Sequence, residues 1–422
     1  MAYILTTLIT NNINNGSLSN FLFKYQFHKE FIESGKKYED YIAELINSGK
    51  ISFQTFNDYL FNELSYGKQR ETYVYKIHSF NNIIKDSNQL IEIMKSNYNI
   101  NEIYYNKIAT TYFSNDDEKK ELVAFKIVPS FDDKTVSKIK LLFGYKVEVL
   151  DKDDIKQSEH SYVAVEVDLD NKIVVIKVSP KAKVIQDRHK PDFLFRKYKE
   201  KVFSLFDIIV DAFNYTHKVV LYRMCEDLYS QIYRKMVSIK PVEVDTILDN
   251  TTKELMDTLK ISAIEMKKTQ NNIFDIKSSL VKLIEHLLIS DIIYSKKLGE
   301  EIEGVDGFVT YLKFNDGTNV SARLRGENCK DPIFDSETYM ALRSPIDNSK
   351  KISVLQVLWL SNGQDLRTCY DTNSSEFLNI HFFKNLSEKD FDYGYSRYTK
   401  YEQALSSKVL EVDKDDTEIA SE

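Results

Sequence analysis

The sequence predicts an α+β fold in several domains: a helix-rich N-terminal region with a small, mostly antiparallel sheet, a central long-helix domain and a β-rich C-terminal domain. Three observations carry the prediction. Apolar residues recur at helical spacing through NFLFKYQFHKEFI (residues 20–32) and FQTFNDYLFNEL (53–64). Short β-branched runs such as LVAFKIV (122–128) and YKVEVL (145–150) are bounded by the acidic turn segments SNDDEKK, SFDDK and DKDDIKQSE. Near the C-terminus, Asp316-Gly317 and Asn362-Gly363 each stand between alternating apolar runs, a strong hairpin signal.

Taken in order, the chain is helical in pattern from Ser19 to about Asn97, with TYVYKIH (72–78) interrupting as one short strand. The β-branched runs from about Lys107 to Pro180 supply the sheet of an N-terminal domain, residues 1–190. Helical spacing returns after Pro191 in FLFRKYKEKVFSLFDIIVDAF and VLYRMCEDLYSQIYRKM, opening a helical domain over 191–300. From Val242 to Leu298 there is neither Gly nor Pro, and Leu259, Met266, Ile273, Leu280, Leu287 and Tyr294 fall seven apart, with Ile276 and Leu283 as a second seam. One long helix, or two joined by a tight turn, is expected. Its apolar stripe is wide, which favours packing within its own domain over a coiled coil. The hairpins GFVTYLKFNDGTNVSARLRG and VLQVLWLSNGQDLRTCY, with a short helix near DSETYMALR, make up residues 301–401. From Glu402, seven acids against Lys408 and Lys414 predict a solvated acidic tail, 402–422.

With 422 residues, 42% of them hydrophobic, the chain buries several cores and is no disordered protein. The net charge of −7 excludes a generic polyanion binder, so any nucleic-acid surface must be local. Abundant Asn, Ile, Lys, Tyr and Phe beside only 12 Gly and 6 Pro suit a low-GC coding sequence, as in a bacterium or mobile element. The first basic residue is Lys24 and no run of about 18 apolar residues exists, so a cytoplasmic location and no membrane partner are expected. Cys225, Cys329 and Cys369 are odd in number and far apart, the pattern of reduced structural thiols.

The stretch VAVEVDLDNKIVVIKV (163–178) raises the question of catalysis. A two-residue turn at Asp170-Asn171 pairs Leu169 with Lys172 and runs the register back to Val163 opposite Val178. Val163, Val165, Val167, Val174, Ile176 and Val178 then form a core face. The other face presents Ala164, Glu166, Asp168, Ile173, Val175 and Lys177, with Glu166 and Lys177 as diagonal neighbours. A restriction-type nuclease needs one acid on the first strand and an acid two residues before a lysine on the second. Val175 occupies that second acid's position and breaks the pattern. The expectation is therefore a solvated strand face with a Glu–Lys pair. A divergent nuclease using Glu166, Asp168 and Lys177 with Mg or Mn is the enzymatic alternative. The P-loop, GxGxxG, GxSxG and HExxH patterns are absent, so no other enzyme class and no cofactor is expected.

The most informative stretch is KVSPKAKVIQDRHKPDFLFRKYKEK (177–201), where nine cations oppose Asp187, Asp192 and Glu200, a local surplus of six. Clustered cations are what backbone phosphates require. The predicted nucleic-acid contacts are Lys181, Lys183, Arg188, Lys190, Arg196, Lys197, Lys199 and Lys201, with Phe193 and Tyr198 stacking on unpaired bases. Arg323 and Arg325, on one face of their strand, extend the set. The function expected is a non-enzymatic nucleic-acid-binding or assembly subunit of a bacterial multi-component system, with defence against phage or plasmids as its setting. A protein scaffold that self-associates or holds a partner through residues 245–298 is the third reading.

Overall fold

The computed structural model describes residues 3–67, 70–111, 121–131, 135–213, 216–239, 243–259, 276–295, 304–315, 321–328, 330–361 and 364–418. Helices α1 (Thr7–Thr10), α2 (Asn15–Lys24), α3 (His28–Ser34), α4 (Tyr38–Asn47) and α5 (Phe53–Tyr66) precede strand β1 (Glu71–Ser79) and helix α6 (Ser87–Tyr98). Strands β2 (Tyr104–Asn106), β3 (Leu122–Pro129), β4 (Val136–Leu150), β5 (Lys156–Asp168) and β6 (Ile173–Val178) follow, then α7 (Pro191–Phe206) and β7 (Ile209–Asp211). Helices α8 (Thr216–Ile239), α9 (Glu243–Leu259) and α10 (Ile276–Ser295) lead to β8 (Gly307–Asn315), β9 (Ser321–Arg325) and α11 (Glu337–Ser349). The chain ends with β10 (Val354–Ser361), β11 (Gln364–Asp371), β12 (Leu378–Phe382) and α12 (Glu388–Glu418). The described residues fall into two compact units, unit 1 from 1–214 and 374–396, unit 2 from 215–373 and 397–422.

Unit 1 is built on antiparallel strands in the order β2-β3-β4-β5-β6-β1-β12, with β7 pairing the far end of β1. Both faces are covered, which is why β5 and β6 are buried along nearly their whole length from His160. On one face Val163, Val165, Val167, Val174, Ile176 and Val178 pack with Leu194, Tyr198, Val202 and Phe206 of α7. Those α7 positions recur every four residues, which turns one stripe of the helix onto the sheet. On the other face Tyr162, Ala164, Leu142 and Val123 pack with Phe56, Leu60, Phe61 and Leu64 of α5 and with α2 and α4. The Ser52 side chain caps α5 by accepting from the Thr55 N–H, and Pro191 opens α7 at its first position, where a missing N–H costs nothing.

Unit 2 carries the antiparallel order β11-β10-β8-β9. The two C-terminal hairpins form with Asn315 opposite Ser321 and Ser361 opposite Gln364; their turn residues lie outside the described residues. Helix α8 packs on β8 and β10, and α10 packs on α8, α9 and α11. Trp359 is buried, with its indole N–H donating to the Tyr370 hydroxyl at 3.1 Å. Gly307 lies directly across from Trp359, and a Cβ there would stand 2.6 Å from the Leu358 carbonyl oxygen. Only glycine lets the two backbones come that close.

Two parts of the expected architecture are corrected. The sheet is not small: eight strands belong to unit 1, because β1 from the helical N-terminal stretch and β12 from beyond residue 377 join the β2–β6 meander. No separate central long-helix domain is present among the described residues. Helix α7 spends its apolar stripe on the unit 1 sheet, and α8 spends its own on strands of unit 2. The seam through Met266 and Ile273 falls outside the described residues. The acidic end, expected as a tail, is helical through Glu418. Among the described residues no helix is long and apolar enough to cross a membrane.

Candidate nucleic-acid interface

The hairpin register is the one the sequence indicates, Val163 opposite Val178 and Asp168 opposite Ile173. The face bearing the acids, however, is not solvated. Glu166 is 6% exposed and Asp168 and Lys177 are each 2% exposed, beneath the end of α5 and the first turns of α12. Opposite them on β4, Lys138 pairs with Asp168 in register and Lys140 with Glu166. Lys138 Nζ lies 3.1 Å from Asp168 Oδ2 and 3.3 Å from Glu166 Oε1. Tyr66 donates its hydroxyl to Glu166 Oε2 at 2.5 Å, and Lys177 Nζ stands 3.6 Å from the same oxygen. Lys177 is capped by two rings, Tyr66 at 3.6 Å and Phe391 at 4.8 Å, while Lys140 reaches Glu388 at 2.5 Å.

The electrostatics follow from this packing. Burial alone would raise the Glu166 pKa, but Lys177, Lys140, the Tyr66 hydroxyl and Lys138 outweigh it and hold the carboxyl below the usual range. Burial pulls Lys177 below the ordinary lysine value, and Glu166 offsets only part of that. Asp392, brought in by α12, is raised by burial. Asp168 also accepts from the Asn171 backbone N–H and side-chain amide, at 2.8 and 2.9 Å, so it closes the turn. The oxygens of both carboxylates are thus met by cations and donors. Among the described residues no cluster of three His, Cys, Asp or Glu side chains is placed to hold a metal. The arrangement does the work of a buried ion network that fixes β4, β5 and β6 to α5 and α12. Lys138, Lys140, Tyr66 and Glu388 are the members that sequence reasoning missed. The alternation of Lys138 and Lys140 with Ile139 and Leu141 was the available signal.

The basic segment leaves β6 and enters α7, and the structure sorts its cations. Lys181 pairs with Glu159 at 2.8 Å, Lys183 with Asp154 at 2.7 Å and Lys190 with Asp187 at 2.6 Å. Lys197 and Lys201, one helical turn apart, grip the same buried carboxylate, Glu121, at 2.7 and 3.1 Å. Lys199 reaches Glu376 at 2.9 Å. Of the nine cations, only Arg188 and Arg196 make no ion pair with a described residue; Arg188 donates to the Gln186 side chain instead. Burial lowers the His189 pKa, and Arg188 and Lys197 lower it further against the pull of Glu148.

The aromatic residues divide just as sharply. Tyr198 is fully buried, its ring 4.7 Å from that of Phe143, and offers no face for a base. Phe193 on the first turn of α7 is 57% exposed and meets no other ring among the described residues. Arg196 and Lys197 stand three and four positions on, one turn along the same side. The site therefore shrinks to Arg188, Phe193 and Arg196, with Lys190 and Lys197 beside them already held by Asp187 and Glu121. Arg323 and Arg325 are exposed on β9, opposite Lys313 and Tyr311, and form a separate basic strip on unit 2. No protein-family model matches the chain, and no curated protein matches it at a significant level.

Proposed function

We propose that the chain is a nucleic-acid-binding or assembly subunit, engaging phosphates through the first two turns of α7 and the residues just before them. The composition suggests a bacterial multi-component system of the defence type as its setting. The observation that supports this most is that Arg188 and Arg196, the segment's two arginines, make no ion pair with a described residue in a protein of net charge −7 and bracket an exposed phenylalanine in the chain. An arginine whose guanidinium is not bonded to a carboxylate can present its donor fork to phosphate oxygens.

The contact is a small one. Two to four phosphates give a log Kd against log salt slope of magnitude about 2 to 4, with affinity in the non-specific range. The test is fluorescence anisotropy over a salt series with wild type and Arg188→Glu/Arg196→Glu. Binding whose salt slope the double variant lowers by about 2 supports the reading. Equal slopes for both proteins overturn it.

A second reading, self-association, draws on Leu283 and Leu287 of α10, which are 54% and 59% exposed and one turn apart. Light scattering distinguishes it, since a monomer at high concentration leaves those leucines without a partner copy.

A further inference from the structure

Resting on the phosphate-binding reading of α7, we propose that the surface selects single-stranded over duplex nucleic acid, and that Phe193 is the residue that selects. Phe193 is an exposed ring at the start of a well-anchored helix. Its neighbours Leu194 and Phe195 are buried, Phe195 stacked on Tyr73 at 4.1 Å, so the backbone beneath Phe193 is fixed while its own ring is free. A duplex presents base edges and phosphates, and its base faces are already stacked. Only an unpaired base has a face to lay on a phenyl ring.

The cations stand where such a base would need them. Along the helix axis Lys190 lies about 4.5 Å before Phe193, and Arg196 and Lys197 lie about 4.5 and 6 Å after it. A base stacked on Phe193 thus has Arg196, which makes no ion pair with a described residue, one turn on, while Lys190 and Lys197 bring charge shared with Asp187 and Glu121. With a single ring, the site holds one base, and it does so without sequence preference because every base has a π-face. Arg188 lies in the short 3-10 turn, Asp187–His189, that immediately precedes the helix.

The test uses the full chain and four probes of equal length: labelled oligo-dT, oligo-U, and DNA and RNA duplexes. Wild type is compared with Phe193→Ala, Phe193→Tyr and Arg188→Glu/Arg196→Glu. An exposed residue is being changed, so folding is not at issue for the Phe193 variants. The expected result is that Phe193→Ala weakens both single-stranded probes by about 5- to 150-fold, leaves the duplexes unchanged, and is rescued by Phe193→Tyr. If the charge variant loses all binding but Phe193→Ala changes nothing, the single-strand inference fails while the phosphate-binding reading stands. If wild type binds none of the four probes, both fall. Preference between oligo-dT and oligo-U reports the 2′-hydroxyl or the thymine methyl group and leaves the stacking inference supported.

Discussion

Replacing Glu166 by Gln tests the buried ion network directly. The substitution keeps size and shape, and the amide oxygen can still accept from Tyr66. Lys138 retains Asp168 at 3.1 Å, so the loss falls on Lys177, which is 2% exposed and has Glu166 as its one carboxylate within 4 Å among the described residues. Removing one partner of a buried pair costs about 3–5 kcal/mol, and the retained contacts place this case near 3 kcal/mol. For a unit of this size that is a fall in Tm of about 6–12 °C. The single tryptophan, Trp359, lies in unit 2, so the transition is followed by far-UV circular dichroism and tyrosine emission.

The pH dependence gives the sign. Lys177 has its folded pKa depressed, so between that value and the ordinary 10.5 the unfolded chain binds more protons and stability rises with pH. Without Glu166 the folded value drops further and the rise begins at lower pH. The deficit of Glu166→Gln is therefore largest near neutrality and narrows towards about pH 9. Adding Lys177→Met to Glu166→Gln should recover most of the loss, because the stranded cation is gone. A Glu166→Gln variant within about 0.5 kcal/mol of wild type, or a deficit that does not change with pH, would refute the reasoning.

Other outcomes follow from single sites. Gly307→Ala forces a Cβ against the Leu358 carbonyl at 2.6 Å and should destabilise unit 2 by about 1–3 kcal/mol, read as an earlier Trp359 emission transition. His160 is held down to about 4 by burial, then by Lys146 and Lys181, so stability should be lost as pH falls from about 6.5 through 4; proton NMR titration of the imidazole checks the value. Leu283→Asp/Leu287→Asp should leave stability nearly unchanged, since both side chains are exposed, and should abolish any concentration-dependent light scattering.

Local pattern made some of this legible and distance hid the rest. The β5–β6 register could be read because valines alternate on both sides of the turn at 169–172, and the paired residues, from Val163 to Val178, span only 16 positions. The cover over Glu166 could not, because Glu388 and Phe391 arrive more than 200 residues later. Alternation marks which residues share a face but not whether that face meets water. Helix α7 was visible in its apolar spacing, whereas its free charges were not, since Glu121 and Glu376, which pair Lys197, Lys201 and Lys199, come from other elements. The choice between Phe193 and Tyr198 was within reach. Five positions turn a helix by about 140°, so the two rings could not both face solvent on one narrow surface.

The return of residues 374–396 to unit 1 has a consequence for synthesis. Glu71 of β1 pairs with His381, 310 positions further on, so this edge of β1 keeps its backbone groups unsatisfied until residues 378–382 emerge from the ribosome. From the completion of β6 at Val178 to that of β12 at Phe382, translation takes about 10–40 s. During that interval the nascent chain exposes an unpaired strand edge and, beside it, a lysine-rich face still lacking Glu388 and Phe391. Unit 1 is thus begun before unit 2 and completed only after β11 has been made, and ribosome-bound chains stopped before residue 374 should bind chaperones that released chains do not.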